Sequence, residues 1–177
     1  MDVCAAIVVA LLLIGSVSAS AEVVDSSEHG FTVRHVVSIA AHPSRAFNSA
    51  VANVGRWWHP DHSFSGNARN LTLDSRPGGC LCERLINGGV THLTVVYLVQ
   101  NEEIRFTGAL GPLQRMAVTG SMVWKWTESN GSTEFEWTYV VGGYRPGGLS
   151  AIASSVDAVL AAQAQRLKRF VETGQPD

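Results

Sequence analysis

The chain has 177 residues, with 13 Lys and Arg against 15 Asp and Glu, a formal net charge of −2 and 46% hydrophobic residues. That length fits one domain, and so even a charge balance, with no charge run, excludes an electrostatic surface for nucleic acid or for an anionic membrane. There is no internal repeat, low-complexity segment, P-loop, dinucleotide fingerprint or Ser-His-Asp order.

Residues 1–21 read as a secretory signal: an apolar stretch from Ala5 to Ile14 is followed by small residues ending Ala19-Ser20-Ala21. The segment carries Asp2 and no Lys or Arg before the apolar run, and that run falls short of the roughly 20 residues that a membrane span needs. Cleavage after Ala21 is expected, giving a secreted or periplasmic protein with no stable membrane anchor. Removing 21 residues from 177 leaves 156 and takes away one acid, for a formal charge of −1.

Residues 22–30 read as a flexible arm. Residues 31–39 (FTVRHVVSI) are β-rich and predict a first strand. Pro43 opens a helix with Phe47, Ala50, Val51 and Val54 at helical spacing and Gly55 as its stop. Trp57 and Trp58 follow, and Pro60 ends any helical continuation. Adjacent helical residues point about 100° apart, so at most one of the two tryptophans is expected to face a pocket. His59 and His62 flank Asp61 in the manner of a short metal-ligand cluster, but no third and fourth ligands are nearby, and a solvated loop is the simpler account.

From Leu71 onward the pattern is that of hairpins. Strands are predicted over 71–74, 80–86, 91–99, 104–109, 118–127 and 133–141, separated by Pro-Gly-Gly, Asn-Gly-Gly, Asn101, Gly-Pro and Asn-Gly. The Asn130-Gly131 pair suits a type I′ turn. With Ser129 opposite Ser132, Trp126 faces Phe135, Trp124 faces Trp137 and Met122 faces Tyr139, while Lys125 meets Glu136 on the other face. One face is then aromatic and the other charged, as a half-buried sheet requires.

Cys80 and Cys82 lie on one face of their strand, about 6.6 Å apart along it, so a bridge between them requires a bulge. With Ile86 opposite Val90, Cys82 faces Thr94, and Cys80, Cys82 and His92 share a face as a soft metal site or a thiol–imidazole pair. The competing account makes both cysteines small buried hydrophobes. Glu83 and Arg84 point to opposite faces, and Glu83 is expected to be the inward one, able to orient a ligand hydroxyl or act as a base. Glu83 and His92 are the catalytic candidates; Arg115, in a loop placed to cover a pocket, is a candidate anion contact. Asn70 and Asn130 begin N-glycosylation sequons.

A long amphipathic helix is predicted over 149–171, with Leu149, Ile152, Val156, Val159, Leu160, Leu167, Phe170 and Val171 on one stripe and Gly174 and Pro176 beyond it. The order is strand, short helices, about six strands, long helix: an α+β domain over 31–172 with a short tail at 173–177. Gly78, Gly79, Gly108 and Gly120 are expected to curve the sheet. A helix laid across a curved sheet leaves room for a cavity.

The chain resembles the START-like, helix-grip superfamily (SRPBCC), which includes polyketide cyclases and dehydratases, lipid-transfer START domains, plant pollen allergens and heat-shock ATPase activators. The resemblance is carried by AHPSRAF at 41–47, RWW at 56–58, Phe64 to Gly66, RPGGCLCE at 76–83, Val95 to Tyr97, LGPL at 110–113 and VGGYRPGGL at 141–149. It implies a curved antiparallel sheet of about seven strands gripping the C-terminal helix, with an apolar pocket between them, and does not imply one activity. Expected ligand contacts are Trp57, Trp58, Tyr97, Met122, Trp124, Trp137, Tyr139, Ile152, Val156, Val159 and Leu160. The expected partner is an apolar or aromatic small molecule, with no cofactor; the alternative is an enzyme of the polyketide cyclase or dehydratase type in the same cavity. Inward polar residues with shifted pKa values favour the enzyme, and a wholly apolar cavity the carrier.

Overall fold

The turn at Asn130-Gly131 sets the centre of the sheet. Both residues have positive φ, 50° and 78°, as a type I′ turn demands, and Ser129 pairs with Ser132. Trp126 therefore faces Phe135, Trp124 faces Trp137, Met122 faces Tyr139 and Lys125 faces Glu136, the expected register. All six inward-facing side chains of that set are buried.

The computed structural model describes residues 21–177. Around the central hairpin lies one antiparallel sheet of β1 (Ala21–Ser26), β2 (Gly30–Ile39), β3 (Leu71–Leu73), β4 (Cys80–Leu85), β5 (Gly88–Val99), β6 (Glu103–Thr107), β7 (Ala117–Ser129) and β8 (Ser132–Tyr144). The order across the sheet is β1-β2-β8-β7-β6-β5-β4-β3. Helices α1 (Pro43–Ala52) and α2 (Val54–Trp57) connect β2 to β3, and α3 (Ser150–Thr173) follows β8. This is the α+β helix-grip architecture, with eight strands among the described residues where about seven were expected.

The additional strand corrects the flexible arm. Residues 22–26 pair with β2, Glu22 opposite Arg34 and Ser26 opposite Phe31. The turn beyond β1 also holds the start of the long helix: the backbone N–H groups of Leu149 and Ser150 donate to the carbonyls of Glu28 and Ser27 at 3.0 and 2.9 Å. Those helix N–H groups have no acceptor inside the helix, so the short polar turn replaces a side-chain cap. The described residues begin at Ala21, and the rest of the expected signal segment lies outside them.

Gly55 is not a helix stop. The break falls at Asn53, and Gly55 sits inside α2. A Cβ there would lie 2.8 Å from the Ala68 carbonyl oxygen and 2.9 Å from that of Leu71. The glycine therefore permits the close approach of the chain segment that leads into β3.

The C-terminal part of α3 packs tightly, burying Leu160, Ala164, Leu167, Phe170 and Val171. It ends at Gly174, whose φ of 82° lets its N–H return to the Phe170 carbonyl. Polar contacts tie the helix to the layers beneath it. Arg166 is buried and donates from Nε to the Trp57 carbonyl at 2.9 Å, Gln163 accepts the His59 N–H at 2.9 Å, and Asp157 lies 3.1 Å from the buried His35 ring. No helix among the described residues is long and apolar enough to cross a membrane.

Cys80 and Cys82 form a disulfide, and the register does contain the bulge that such a bridge requires. Cys82 pairs with Thr91 and Leu81 with Leu93, so His92 is the extra residue of β5. The Cα atoms of the two cysteines are 5.3 Å apart, closer than flat strand geometry would place them.

Candidate functional site: a cavity between α3 and the sheet

A cavity of about 330 Å³ opens between the N-terminal half of α3 and the sheet. The helix contributes Ile152, Ser155, Val156, Val159 and Leu160, and β8 contributes Tyr139. A 3₁₀ turn, Gly111–Arg115, closes one side with Leu110, Pro112, Leu113 and Met116. Trp58 and the segment from Asp61 to Phe64 form another side, and His92 completes the wall from β5.

Tyr139 positions the covering turn. Its hydroxyl accepts the Leu110 N–H at 3.0 Å and donates to the Gly108 carbonyl at 3.1 Å. The ring needs Gly120 on the neighbouring strand, since a Cβ there would lie 2.5 Å from Tyr139 Cε2. Burial pushes the phenol pKa up to about 12, against the opposing hydrogen bond from Leu110, so the group stays neutral. Trp58 is held by its indole N–H, which donates to the His62 carbonyl at 2.9 Å. Burial and the neighbouring His59 ring lower the His62 pKa, with Asp61 opposing them.

Glu83, expected to face the pocket, does not line it but lies behind this wall as the buried partner of His92. The Glu83 carboxylate accepts the Phe64 N–H at 3.0 Å, the Ser65 N–H at 2.6 Å and an N–H from His92 Nε2 at 2.9 Å. Burial alone would raise its pKa, but the donors on Ser65, Phe64 and His92 outweigh burial and hold it below the ordinary value. The Phe64 ring stacks on the His92 ring, centroids 5.7 Å apart and planes 13° from parallel.

Of the expected ligand contacts, Trp58, Tyr139, Ile152, Val156, Val159 and Leu160 line the cavity. Trp57, Met122, Trp124 and Trp137 are buried in the core and do not line the cavity; the three indoles pack against one another. Trp57 lies 5.9 Å from Trp124 and 6.3 Å from Trp137, centroid to centroid. Tyr97 is outside: a second bulge, between Val95 and Tyr97, turns it outward, where the Arg105 guanidinium lies 4.2 Å over its ring.

The expected Cys80–Cys82–His92 metal site is overturned. The two sulfurs are bonded to each other, and the β4–β5 turn is tighter than expected, with Leu85 opposite Gly88 instead of Ile86 opposite Val90. This odd shift in register puts His92 on the face of Glu83. Arg115 is exposed and does not line the cavity. The loop at 111–116 is expected to cover the pocket, and Gly111, Pro112, Leu113 and Met116 do line it. Sequence reasoning assigned no cavity role to Asp61, His62, Ser63, Phe64, Leu110 or Ser155. Most lie in irregular backbone, where neither helical nor strand period signals a buried face.

No family model and no curated protein sequence matches the chain. Solved structures do match in fold. The Aha1 dimer from Colwellia psychrerythraea superposes with a TM-score of 0.59 at 15% identity, over 81% of this chain and 97% of that one. CalU16 from Micromonospora echinospora gives 0.56 at 11% identity, over 84% and 78%. Ara h 8.0201 gives 0.55 at 10% identity, over 80% and 97%. At these identities the likeness establishes the fold, which is helix-grip, as the sequence resemblance implied.

Proposed function

We propose that this protein is a binder or carrier that holds an apolar or aromatic small molecule in the cavity between α3 and the sheet. The observation that carries this reading is the cavity itself, about 330 Å³ beneath the Gly111–Arg115 turn and lined largely by aliphatic and aromatic side chains. Ligand pockets fall in the range of about 300–1,000 Å³ and combine such walls with few polar groups. A solvatochromic aromatic dye is expected to bind saturably, near one equivalent, and quench tryptophan emission. Val156→Trp should fill the gap and abolish uptake while circular dichroism and melting stay near wild type. No saturable uptake by the wild type, or undiminished uptake by folded Val156→Trp, defeats the proposal.

The same proposal places the protein outside the cytoplasm, secreted or periplasmic. The apolar leader and its Ala19-Ser20-Ala21 end support this, as does the Cys80–Cys82 disulfide, since such bonds persist in oxidising compartments. N-terminal sequencing of exported protein should begin at Glu22; recovery of the full-length chain in the cytosol would refute export.

A second reading, catalysis of the polyketide cyclase or dehydratase kind, draws support from the buried Glu83–His92 pair, of which His92 lines the cavity. A carboxylate bound to one imidazole nitrogen orients the ring for proton transfer at the other. Turnover of a cavity-bound polyketone that is lost in His92→Phe would favour the enzyme over the carrier.

A further inference from the structure

The Cys80–Cys82 disulfide takes no part in the cavity. Burial alternates along β4: Leu81 and Glu83 are buried, Cys80 and Cys82 are partly exposed, and Arg84 is exposed. Both sulfurs therefore belong to the outer, solvent side of the sheet. The bridge joins no two elements. It spans a single residue of one strand, which the ladders to β3 and β5 already hold. A crosslink that closes so short a loop restrains the unfolded chain least. A bond with little to stabilise, on an exposed face, has the character of a labile disulfide and not of a structural one.

The surroundings distinguish the two sulfurs. Thr91 Oγ1 lies 3.5 Å from Cys82 Sγ; a bridged sulfur has no proton, so the hydroxyl is the donor. Arg84 shares this face two positions beyond Cys82, exposed and with no hydrogen bond or ion pair among the described residues. Opposite the pair stand Thr72, Thr91 and Thr94, all uncharged. Asp74, whose N–H donates to the Cys80 carbonyl, is ion-paired with Arg76 at 2.7 Å. The net field on a developing thiolate is therefore that of Arg84, and it acts most on Cys82. On the far side of Cys80 the chain is Gly78-Gly79, which has no side chains to shield that sulfur.

We infer that Cys80–Cys82 is a thiol–disulfide exchange site whose co-reactant is a small aliphatic thiol. The incoming thiolate bonds to Cys80 Sγ as the Sγ–Sγ bond breaks, and the electron pair leaves on Cys82 Sγ, stabilised by the Thr91 hydroxyl and Arg84. A second thiolate then attacks the small molecule's own sulfur in the mixed disulfide, releasing a small-molecule disulfide and the Cys80 thiolate. Two thiols are oxidised, the protein disulfide takes up their two electrons, and their two protons pass to the protein dithiol. The ladders on either side of β4 keep the two Cα atoms, 5.3 Å apart in the bridged form, within bridging range. The small-molecule disulfide can therefore restore the bond.

Reduced glutathione, added to the folded full chain without denaturant, tests this. The bond should open while circular dichroism and the cooperative melt are retained, and glutathione disulfide should close it again. After an acid quench, peptide mapping, which separates these sulfurs from Cys4, should place the glutathione adduct on Cys80 and the free thiol on Cys82. At pH 7 iodoacetamide should alkylate the Cys82 thiol of Cys80→Ser about tenfold faster than the Cys80 thiol of Cys82→Ser. Arg84→Gln should slow the Cys82 reaction about threefold and remove its dependence on salt, which a merely structural role would leave unchanged. Reduction only after unfolding in urea, an adduct on Cys82 in place of Cys80, or equal alkylation of the two thiols would overturn the inference. Reduction under native conditions is read on the wild type and needs no variant to fold.

Discussion

Trp124→Ala is expected to cost roughly 3–5 kcal/mol of folding stability, the usual loss on truncating a buried large aromatic. Trp124 has no exposed surface and stands at the centre of a ring cluster. Phe106 and Trp137 are 5.1 Å away, Trp57 5.9 Å, Phe135 6.2 Å and Trp126 6.3 Å, centroid to centroid. Removing the indole deprives five rings of a packing partner, and the rigid sheet beneath it has little freedom to collapse into the space. The next residue supplies the control. Lys125 is exposed on the outer face opposite Glu136, whose closer partner is Arg34 at 2.6 Å. Lys125→Ala should change stability by no more than about 1 kcal/mol. Comparable losses for the two variants in urea melts would show that the aromatic and charged faces of this hairpin are assigned wrongly.

Glu83→Ala is expected to cost about 3 kcal/mol at neutral pH. Hydrogen bonds to an ionised group are worth roughly 1.5–3 kcal/mol each, and three meet at this carboxylate, though they form a unit whose losses do not simply add. The pH dependence has a definite sign. The folded carboxyl titrates below its ordinary value of 4.5, so its contribution is complete above the unfolded value and is lost as pH falls through the folded one. The gap in stability between wild type and Glu83→Ala should therefore be widest near pH 7 and close progressively below about pH 4.5. A gap that is constant from pH 7 to pH 3 would mean that Glu83 contributes packing and not charge.

Legibility tracks local chemistry. The Asn130-Gly131 turn and the alternation on either side of it specify one register between them, and the structure has that register. The stripe from Leu149 to Val171 likewise marks the long helix, although only its first half faces the cavity. Bulges are not legible. An extra residue at His92 and another at Val96 each exchange the faces of the residues beyond them. Alternation in residues 91–97 is too irregular to reveal them, so pattern alone turns Tyr97 inward, while the expected turn, looser than the real one, sets His92 beside the thiols. Glu83 is the inward charge that the pattern implies, but its partner is the very histidine that the expected register sets beside Cys82. The aromatic core poses a different difficulty. Composition and period identify Trp124 and Trp137 as buried, but they cannot distinguish a buried residue that touches a cavity from one that touches only other side chains. The arm at 22–30 lacks any helical or strand period of its own, and its strand exists because β2 offers an edge to pair with.

The pairing of β2 with β8 has a consequence for the order of events during synthesis. Gly30 lies opposite Gly142 and Ile39 opposite Thr133, so β2 has no neighbour on that side until most of the chain has been made. α3, which emerges last, must dock before the cavity acquires its roof. Topologies dominated by such distant pairings fold in roughly milliseconds to seconds, and the nascent strands remain exposed in the interval. A ribosome-bound chain ending before Ser132 would therefore be unable to seat β2, and should remain protease-sensitive there until β8 is released. Under the export proposed above, this delay would keep the chain unfolded and threadable during its passage across the membrane.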